Sequence, residues 1–185
     1  NGSYVEETSS TKRLTGIINK TAFAIPQDFE GYVLNEDHKD AKPNGVITKD
    51  NNLELRLYYD LSDYTVNYVA LEHGSIQGET LQNLKYGQTT SSVTAVPEDG
   101  YKFLRWNDYR SSASRTDVVT GNKIYTASFG KDETKWNSIK YVSDGNPSNM
   151  PADQSDVKAG SSQKVSSSRP VREGFRFEGW ETDDT

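Results

Sequence analysis

The residues of this sequence that could take part in catalysis or metal binding are few and widely spaced. His38 and His73 are the only histidines, and the chain has no cysteine. Neither histidine lies near a second one at the spacing of a metal site, and neither stands in a nucleophile motif. No glycine-rich phosphate loop and no calcium-loop spacing occurs. The sequence therefore predicts a protein that is not an enzyme and that holds no cofactor and no metal, with both histidines in surface loops.

Other polar residues leave weaker alternatives open. Glu36, Asp37 and Asp40, or Asp144 with Asn146, offer oxygen ligands of the kind that bind calcium weakly, although solvated loops are the expected role. A lysine to asparagine cross-link within a domain is conceivable, but no sequence motif supports it. Paired carboxylates for glycoside hydrolysis cannot be recognised in a sequence, because their separation depends on the fold.

A motif of glycine, aromatic, basic residue, phenylalanine and a later tryptophan occurs twice, 74 positions apart. Its residues are Gly100, Tyr101, Phe103 and Trp106 in the first copy, and Gly174, Phe175, Phe177 and Trp180 in the second. Tyr68 and Gly87 likewise return as Tyr141 and Gly160 at an offset of 73. A nearly constant offset predicts the duplication of a small domain.

The two tryptophans either fill the cores of these domains or form sugar-stacking platforms. Because only 32% of the residues are hydrophobic, a small domain can hardly leave its largest apolar side chain outside, so we favour the core. In a regular strand, Phe103 and Trp106 point to opposite faces, since their spacing is odd. Both reach one core only through a β-bulge, for which Gly179 is suited in the second copy.

The elements that must position these motifs are predicted to be short strands. Residues 93–96 and 101–106 are predicted to pair with each other across the turn 97–100. Leu81 and Leu84 allow one helical turn at most. Alternating apolar residues predict three further strands, with the clearest pattern first: residues 52–59, 64–69 and 124–129.

Charge and polarity exclude further classes of protein. The chain of 185 residues has a net charge of −6 without a basic run, whereas a nucleic-acid surface needs clustered Lys and Arg. No apolar stretch of about 18 residues occurs, so no membrane span is expected in this fragment. We expect a monomer.

Three stretches resemble known families of bacterial surface repeats. The residues from Tyr141 to Gly174-Phe175-Arg176-Phe177-Glu178-Gly179-Trp180 resemble the Listeria-Bacteroides repeat of internalin-type proteins. Residues 64–130 resemble its divergent B-repeat relative through Val93-Thr94-Ala95, the first motif copy and Arg115-Thr116-Asp117. Residues 29–60 resemble the second half of a mucin-binding-type repeat. One departure is the run Asn107-Asp108-Tyr109-Arg110, which stands where the divergent family has a turn ending in Asp-Gly, so the loop 107–115 is expected to differ in shape.

This resemblance implies three domains. They are a mucin-binding-like repeat at residues 1–61, truncated at its N-terminus, a divergent B-repeat-like unit at 62–131, and a Listeria-Bacteroides-type repeat at 132–185, truncated at its C-terminus. The implied fold is mainly β, with small α+β content possible, as tandem β-grasp-like units in an elongated arrangement. The implied location is the surface or the surroundings of a Gram-positive-type bacterium, where the chain is wall-attached or secreted.

The implied function is that of a non-catalytic stalk or spacer that can also contribute to adhesion. A rival hypothesis is a carbohydrate- or glycoprotein-binding module with exposed tyrosines facing the ligand, for which Tyr58, Tyr86 and Tyr109 are candidates. A third is an accessory domain of a larger secreted enzyme. The expected partners are a host glycan or glycoprotein, or neighbouring repeats of the same chain.

Overall fold

The structure is a computed structural model that describes residues 14–50 and 52–182. Nearly all regular structure in these residues is β-strand, and the helical content is one 3₁₀ turn at Glu133–Lys135. The prediction of a mainly β fold is therefore confirmed. The β-grasp assignment, the elongated arrangement and the division into three repeats stay predictions. Among the described residues, no helix is long and apolar enough to cross a membrane.

Short strands form five small sheets in the described part of the chain. The strands are β1 (Thr21–Phe23), β2 (Tyr32–Leu34), β3 (Asn44–Val46), β4 (Tyr59–Leu61), β5 (Asp63–Ala70), β6 (Gly74–Gln77), β7 (Leu81–Lys85), β8 (Val93–Pro97), β9 (Tyr101–Trp106), β10 (Ser114–Arg115), β11 (Lys123–Lys131), β12 (Trp136–Ile139) and β13 (Gln154–Lys158). The sheets have the orders β1-β3, β2-β4, β7-β5-β11-β9, β10-β8-β6 and β12-β13.

The described chain separates into two compact units. The first contains the residues up to Tyr64 together with two short segments, Asn83–Gln88 and Val118–Gly121. The second contains Thr65–Gln82, Thr89–Asp117 and the residues from Asn122 onward. Each unit is described by its own contacts below.

The first unit has short ladders and little buried apolar surface. β1 pairs with β3, and β2 pairs with β4, each in antiparallel register over three residues. Ile17, Phe23 and Ile25 are exposed. Tyr59 is packed within this unit: its ring meets that of Phe29 edge-on, with 5.0 Å between the centroids, and its hydroxyl accepts from the backbone amide of Gln27 at 3.0 Å.

The strand predicted at residues 52–59 is wrong over most of its length. Only Arg56 makes a bridge there, with Lys42, before the ladder of β4 begins at Tyr59. The alternation is still visible in the burial, since the leucines from 53 to 57 are half-buried while Glu54 is exposed. The pattern shows which side faces the interior, but a strand also needs a neighbour whose backbone groups are free to pair.

The second unit is built on a mixed sheet whose central pair is parallel. β5 runs parallel to β11, and β9 pairs with β11 in antiparallel register. These strands confirm the predictions at 64–69 and 124–129. Val66, Tyr68 and Ala127 point to the buried side of this sheet, with 2% exposure or less.

The predicted hairpin between residues 93–96 and 101–106 is wrong, although both strands exist. β8 pairs with β6 on one edge and β10 on the other, whereas β9 pairs with β11. Both edges of β8 are thus occupied, and the turn leads the chain from one sheet into the other. Residues 81–85 also differ from the expectation of a helical turn, since they form β7.

The bulge predicted between Phe103 and Trp106 is confirmed. Trp106 pairs with Ala127 and Arg105 with Ser128, but Phe103 is opposite the next residue, so Leu104 is the extra residue of β9. The bulge returns Trp106 to the side of Phe103, where its side chain is 0% exposed.

The second motif copy differs from the first, because residues 175–180 form no strand. β9 obtains its ladder from β11, and the described chain contains no counterpart of β11 after Trp180. The bulge expected at Gly179 is therefore not formed. Regular structure in this part of the chain comes from β12 and β13, which pair in antiparallel register.

Candidate functional site

A buried cluster of charged side chains lies in the second unit, where β10 and the residues after it place Arg115 and Asp117 inward. Their side chains are only 1% and 4% exposed. Arg115 Nε and Nη2 donate to the Asp117 carboxylate at 2.8 and 2.7 Å. Arg115 Nη1 and Nη2 donate to the Asp108 carboxylate at 3.1 and 2.9 Å. One guanidinium therefore links two carboxylates in bidentate geometry.

Aromatic rings and a hydroxyl pair complete this cluster. The Arg115 guanidinium lies 3.6 Å from the ring centroid of Tyr125 and 4.9 Å from that of Trp106. The Tyr68 hydroxyl donates to Asp117 at 2.9 Å, so the Thr90 hydroxyl, 2.9 Å away, donates to Tyr68. The Asp117 amide donates to Thr90 Oγ1 at 2.9 Å. We call Arg115, Asp117, Asp108, Tyr68 and Thr90 the Arg115 cluster.

The ionisation of the cluster follows from these contacts. Burial favours the neutral acid, but hydrogen bonds from Arg115 and Tyr68 and the charge of Arg115 outweigh it, so the pKa of Asp117 lies below its ordinary value. The hydrogen bonds from Arg115 likewise lower the pKa of Asp108. Burial raises the pKa of Tyr68 to about 12. At neutral pH the cluster therefore holds Arg115 charged, both carboxylates ionised and Tyr68 protonated.

This arrangement stabilises the fold rather than presenting reactive groups. The Tyr68 hydroxyl is tied to two partners, and Arg115 has aromatic rings against its flat face. In the sequence, Arg115-Thr116-Asp117 is recognised only for its family resemblance, and the burial of Arg115 and Asp117 is not predicted. Their hydropathy indicates the surface, and only their alternation with the exposed Ser114 and Thr116 points to burial.

Acidification is expected to destabilise the second unit through Asp117 and Asp108. Their pKa values are lower in the folded than in the unfolded chain, so between the two values the unfolded chain binds more protons and stability falls with falling pH. The loss should begin below about pH 5 and continue as the pH passes through the lowered pKa values. Amide hydrogen exchange at Tyr68, whose amide donates to Thr80 O at 2.8 Å, measures it at pH 7, 5 and 3. Asp117→Asn should show a smaller change over this range, and an equal change in both proteins would contradict the assignment.

Of the three tyrosines considered as ligand-facing, only Tyr109 is exposed. It is 76% exposed, and the Arg105 guanidinium lies 5.0 Å from its ring centroid. Tyr86 is half-buried: its hydroxyl donates to Glu30 at 2.9 Å, and its ring lies so close to Gly31 that a Cβ there would be 2.3 Å from it. Tyr58 is half-buried and stacked on His38 at 3.7 Å. The expectation that Tyr58 and Tyr86 are exposed is therefore corrected, because both rings are packed within the first unit. A ligand-facing role for any of the three stays a prediction.

The aromatic residues of the two motif copies make the same set of contacts. In the first copy, the ring centroid of Trp106 lies 6.0 Å from that of Tyr68 and 5.9 Å from that of Phe103. In the second, Trp180 lies 4.8 Å from Tyr141 and 5.2 Å from Phe177. Both tryptophans thus pack against a tyrosine from an earlier segment and a phenylalanine of their own motif.

The remaining motif residues have other surroundings. Gly100 and Gly174 adopt positive φ angles of 95° and 77° in turns. Tyr101 packs against Trp136, described below, and Phe175 is exposed, with the Arg172 guanidinium 3.9 Å from its ring centroid.

The other candidates for chemistry lie apart from the Arg115 cluster. His38 is half-buried, whereas His73 is exposed and stacked on Tyr101 at 3.9 Å. Within residues 14–50 and 52–182, no group of three or more His, Asp or Glu side chains is placed to hold a metal ion. The calcium and cross-link alternatives stay predictions.

Comparison with known families places two stretches of the chain among bacterial repeats. Residues 64–133 match the family model of the divergent InlB B-repeat domain, and residues 138–185 match that of the Listeria-Bacteroides repeat domain. We call them the B-repeat segment and the Listeria-Bacteroides segment. Neither match extends over residues 29–60, so their mucin-binding-type resemblance stays a prediction. Comparisons with curated proteins and with solved structures found no match.

Proposed function

We propose that this chain, two of whose segments match bacterial repeat families, is a non-catalytic repeat region of a bacterial surface or secreted protein and acts as a spacer. The observation that carries this proposal is a built junction between the B-repeat segment and the Listeria-Bacteroides segment. A spacer must hold neighbouring repeats in a constant relative orientation, and fixed contacts across the junction allow this.

The junction is centred on the turn at Gly100, against which Trp136 packs. The Trp136 indole donates from Nε1 to Gly100 O at 2.7 Å, and the Asp132 amide donates to the same oxygen at 3.0 Å. Tyr101 meets Trp136 edge-on at 6.0 Å. The Lys131 ammonium lies 4.7 Å from the Trp136 ring centroid on the linker side.

Gly100 is required at this point for two reasons. Its φ of 95° is a conformation that side chains other than glycine rarely adopt. A Cβ at this position would also lie 2.9 Å from Trp136 Cζ2. The glycine of the repeated motif therefore admits Trp136, which lies between the two segments.

The linker, residues 132–135, is short and ordered by its own hydrogen bonds. Asp132 caps the 3₁₀ turn, and its Oδ1 accepts from the Thr134 amide at 3.2 Å and from the Thr134 hydroxyl at 2.8 Å. Ion pairs join Asp99 with Lys158 and Lys131 with Asp156. Since these carboxylates are largely exposed, the pairs add little, and the contacts of Trp136 carry most of the junction energy.

Replacing Trp136 by alanine is expected to release the two segments from their fixed arrangement. The chain has no cysteine, so spin labels can be placed at Ser111→Cys and Ser162→Cys, both exposed, one in each segment. Electron–electron distance measurements should give a narrow distribution for the parent and a broad one for Trp136→Ala, at a cost to stability of about 1–3 kcal/mol.

The matched control is Phe175→Ala, which removes an exposed aromatic side chain of the Listeria-Bacteroides segment away from the junction. It should leave the distance distribution narrow. A broad distribution in the parent protein would contradict the spacer proposal, and small-angle scattering should agree by showing an elongated monomer.

Adhesion is the second candidate function, and the exposure of Tyr109 favours it. A spacer and an adhesive surface are compatible in one chain, because one depends on the junction and the other on an open face. With adhesion, the proposed partners are host glycans or glycoproteins. A role as accessory domain of a larger secreted enzyme also stays a proposal.

A further inference from the structure

Tyr109 is held in a strained backbone conformation while its side chain is left in solvent. Six described non-glycine residues have positive φ, and four of them are Asn or Asp, which tolerate it. The other two are His73 and Tyr109, with φ of 70° and 68°. The His73 ring packs on Tyr101, whereas Tyr109 is 76% exposed. Backbone strain at a side chain that stays largely in solvent is typical of positions where the side chain has a function.

The turn that carries Tyr109 is fixed from both sides. The Tyr109 amide donates to Trp106 O and the Trp106 amide donates to Arg110 O, both at 2.9 Å. Asn107 is bound to β11, since its amide donates to Thr126 O at 2.9 Å and its Nδ2 donates to Ile124 O at 3.0 Å. Asp108 is held by the buried Arg115. The backbone at Tyr109 is therefore held in one conformation, so binding pays no entropy cost for ordering the turn.

Beside this turn lies the outer face of the sheet formed by β5, β11 and β9, on which Arg105 and Ile124 are exposed while Asn67, Thr126 and Ser128 are half-buried. The register places Asn67 opposite Ile124 and Arg105 opposite Ser128. Ile124 is 62% exposed, and next to it is a shallow groove of about 370 Å³. The groove is lined by Thr65, Asn67, Leu81, Asn122, Lys123 and Ile124. Most of the exposed lining is apolar, and Asn67 adds an amide group, so the groove offers apolar contact together with hydrogen bonds.

The charge of this face is opposite to that of the chain. On β9, the residues that point to this face include Lys102 and Arg105. The outward residues of β11, and those of β5 from Thr65 onward, include no acidic residue, whereas the whole chain has a net charge of −6. Lys102 and Arg105 form no ion pair among the described residues. Arg105 lies beside the Tyr109 ring, so a stacked ligand would meet a guanidinium able to bind carboxylate.

We propose that Tyr109, Arg105 and the adjoining outer sheet face bind an acidic glycan. A pyranose ring stacks on Tyr109, a sugar carboxylate pairs with Arg105, and the side chains of Asn67 and Thr126 bind hydroxyl groups. A polyphosphate fits less well, because the acidic chain repels a dense line of negative charge. This site rests on adhesion as the second candidate function, to which it adds the class of ligand, and it does not depend on the junction.

Titration of the full chain with a hyaluronan hexasaccharide tests the proposal, with chitohexaose as the neutral sugar of equal length. The hyaluronan probe should bind, and binding should weaken as salt is raised. Amide NMR shifts should concentrate at Tyr109 and on the outer positions of β5 and β11. Tyr109→Ala and Arg105→Gln should each weaken binding about tenfold, as expected for loss of one stacking or charged contact. Arg169→Gln in the Listeria-Bacteroides segment is the charge-matched control and should bind like the parent.

Tyr109→Gly separates binding from folding. Glycine adopts the positive φ without strain, so amide exchange at Tyr68 should be as slow as in the parent or slower, while binding is still lost. Equal binding of chitohexaose, no binding of hyaluronan, or unchanged binding by Tyr109→Ala would overturn the proposal. Concentration-dependent shifts on this face without sugar would also overturn it, because they would make a second copy of the chain its occupant. Trp136→Ala should leave the sugar affinity unchanged, so failure of the spacer and failure of this site are distinguishable.

Discussion

Replacing Arg115 by alanine is expected to lower the free energy of unfolding of the B-repeat segment by about 3–5 kcal/mol. The substitution leaves Asp117, with a side chain only 4% exposed, without the guanidinium that offsets its burial. The Tyr68 hydroxyl and Arg110 Nη1 still donate to this carboxylate, but Arg110 is half exposed and compensates only in part. Breaking a buried ion pair on one side costs more than the pair contributes, because a buried charge remains.

Residue-specific amide exchange at Tyr68 measures this loss, since a chain with two compact units is not expected to unfold in one step. Arg169→Ala removes an exposed arginine and should change stability by less than about 0.5 kcal/mol. Arg115→Met combined with Asp117→Leu removes both charges and should recover much of the stability. A loss below about 1 kcal/mol for Arg115→Ala would show that the cluster contributes little.

The strands of the B-repeat segment could be predicted where local pattern and burial coincide. Residues 64–69 and 124–129 alternate because one face of β5 and β11 packs inward, and this requires no knowledge of the partner strand. The bulge at Leu104 could also be predicted, because Phe103 and Trp106 are both large and their odd spacing conflicts with a shared core. Such a conflict within one strand is readable from the sequence alone.

The partners of the strands could not be predicted. β8 and β9 are adjacent in sequence and both alternate, yet β8 pairs with β6 and β10. Which edge a strand offers depends on segments far away in the chain, and residues 52–58 show the limit of the pattern, because they alternate without forming a ladder. Local hydrophobic period fixes the face of a strand, whereas pairing depends on which free edges meet.

The Arg115 cluster and the Tyr109 turn were missed for a related reason. Arg115 and Asp117 are charged, and their burial becomes favourable only when Tyr125, Trp106 and Asp108 surround them. Tyr109 was recognised as an aromatic candidate, but its positive φ contradicts the preference of bulky residues. Both features arise from tertiary context that overrides the local preference of each residue.

The two tryptophans of the repeated motif are expected to differ in energetic weight, although the sequence treats them alike. Trp106→Ala should destabilise the B-repeat segment by about 3–5 kcal/mol, as for the largest core side chains. Trp106 is 0% exposed, its Nε1 donates to Ser112 O at 2.9 Å, and its ring covers the Arg115 guanidinium. Its removal therefore opens a cavity and exposes the charged cluster to water.

Trp180→Ala is the internal comparison, and it should cost the Listeria-Bacteroides segment about 1–2 kcal/mol. Trp180 is half-buried, and within the described residues its Nε1 has no hydrogen-bond partner, so less apolar burial and no indole hydrogen bond are lost. Exchange at Tyr68 reports the first variant, and exchange at Tyr141, whose amide donates to Asp153 at 3.1 Å, reports the second. Equal losses would mean that the motif alone sets the contribution of its tryptophan. A larger loss for Trp106 would show that the contribution depends on the paired strand and the buried charges around it.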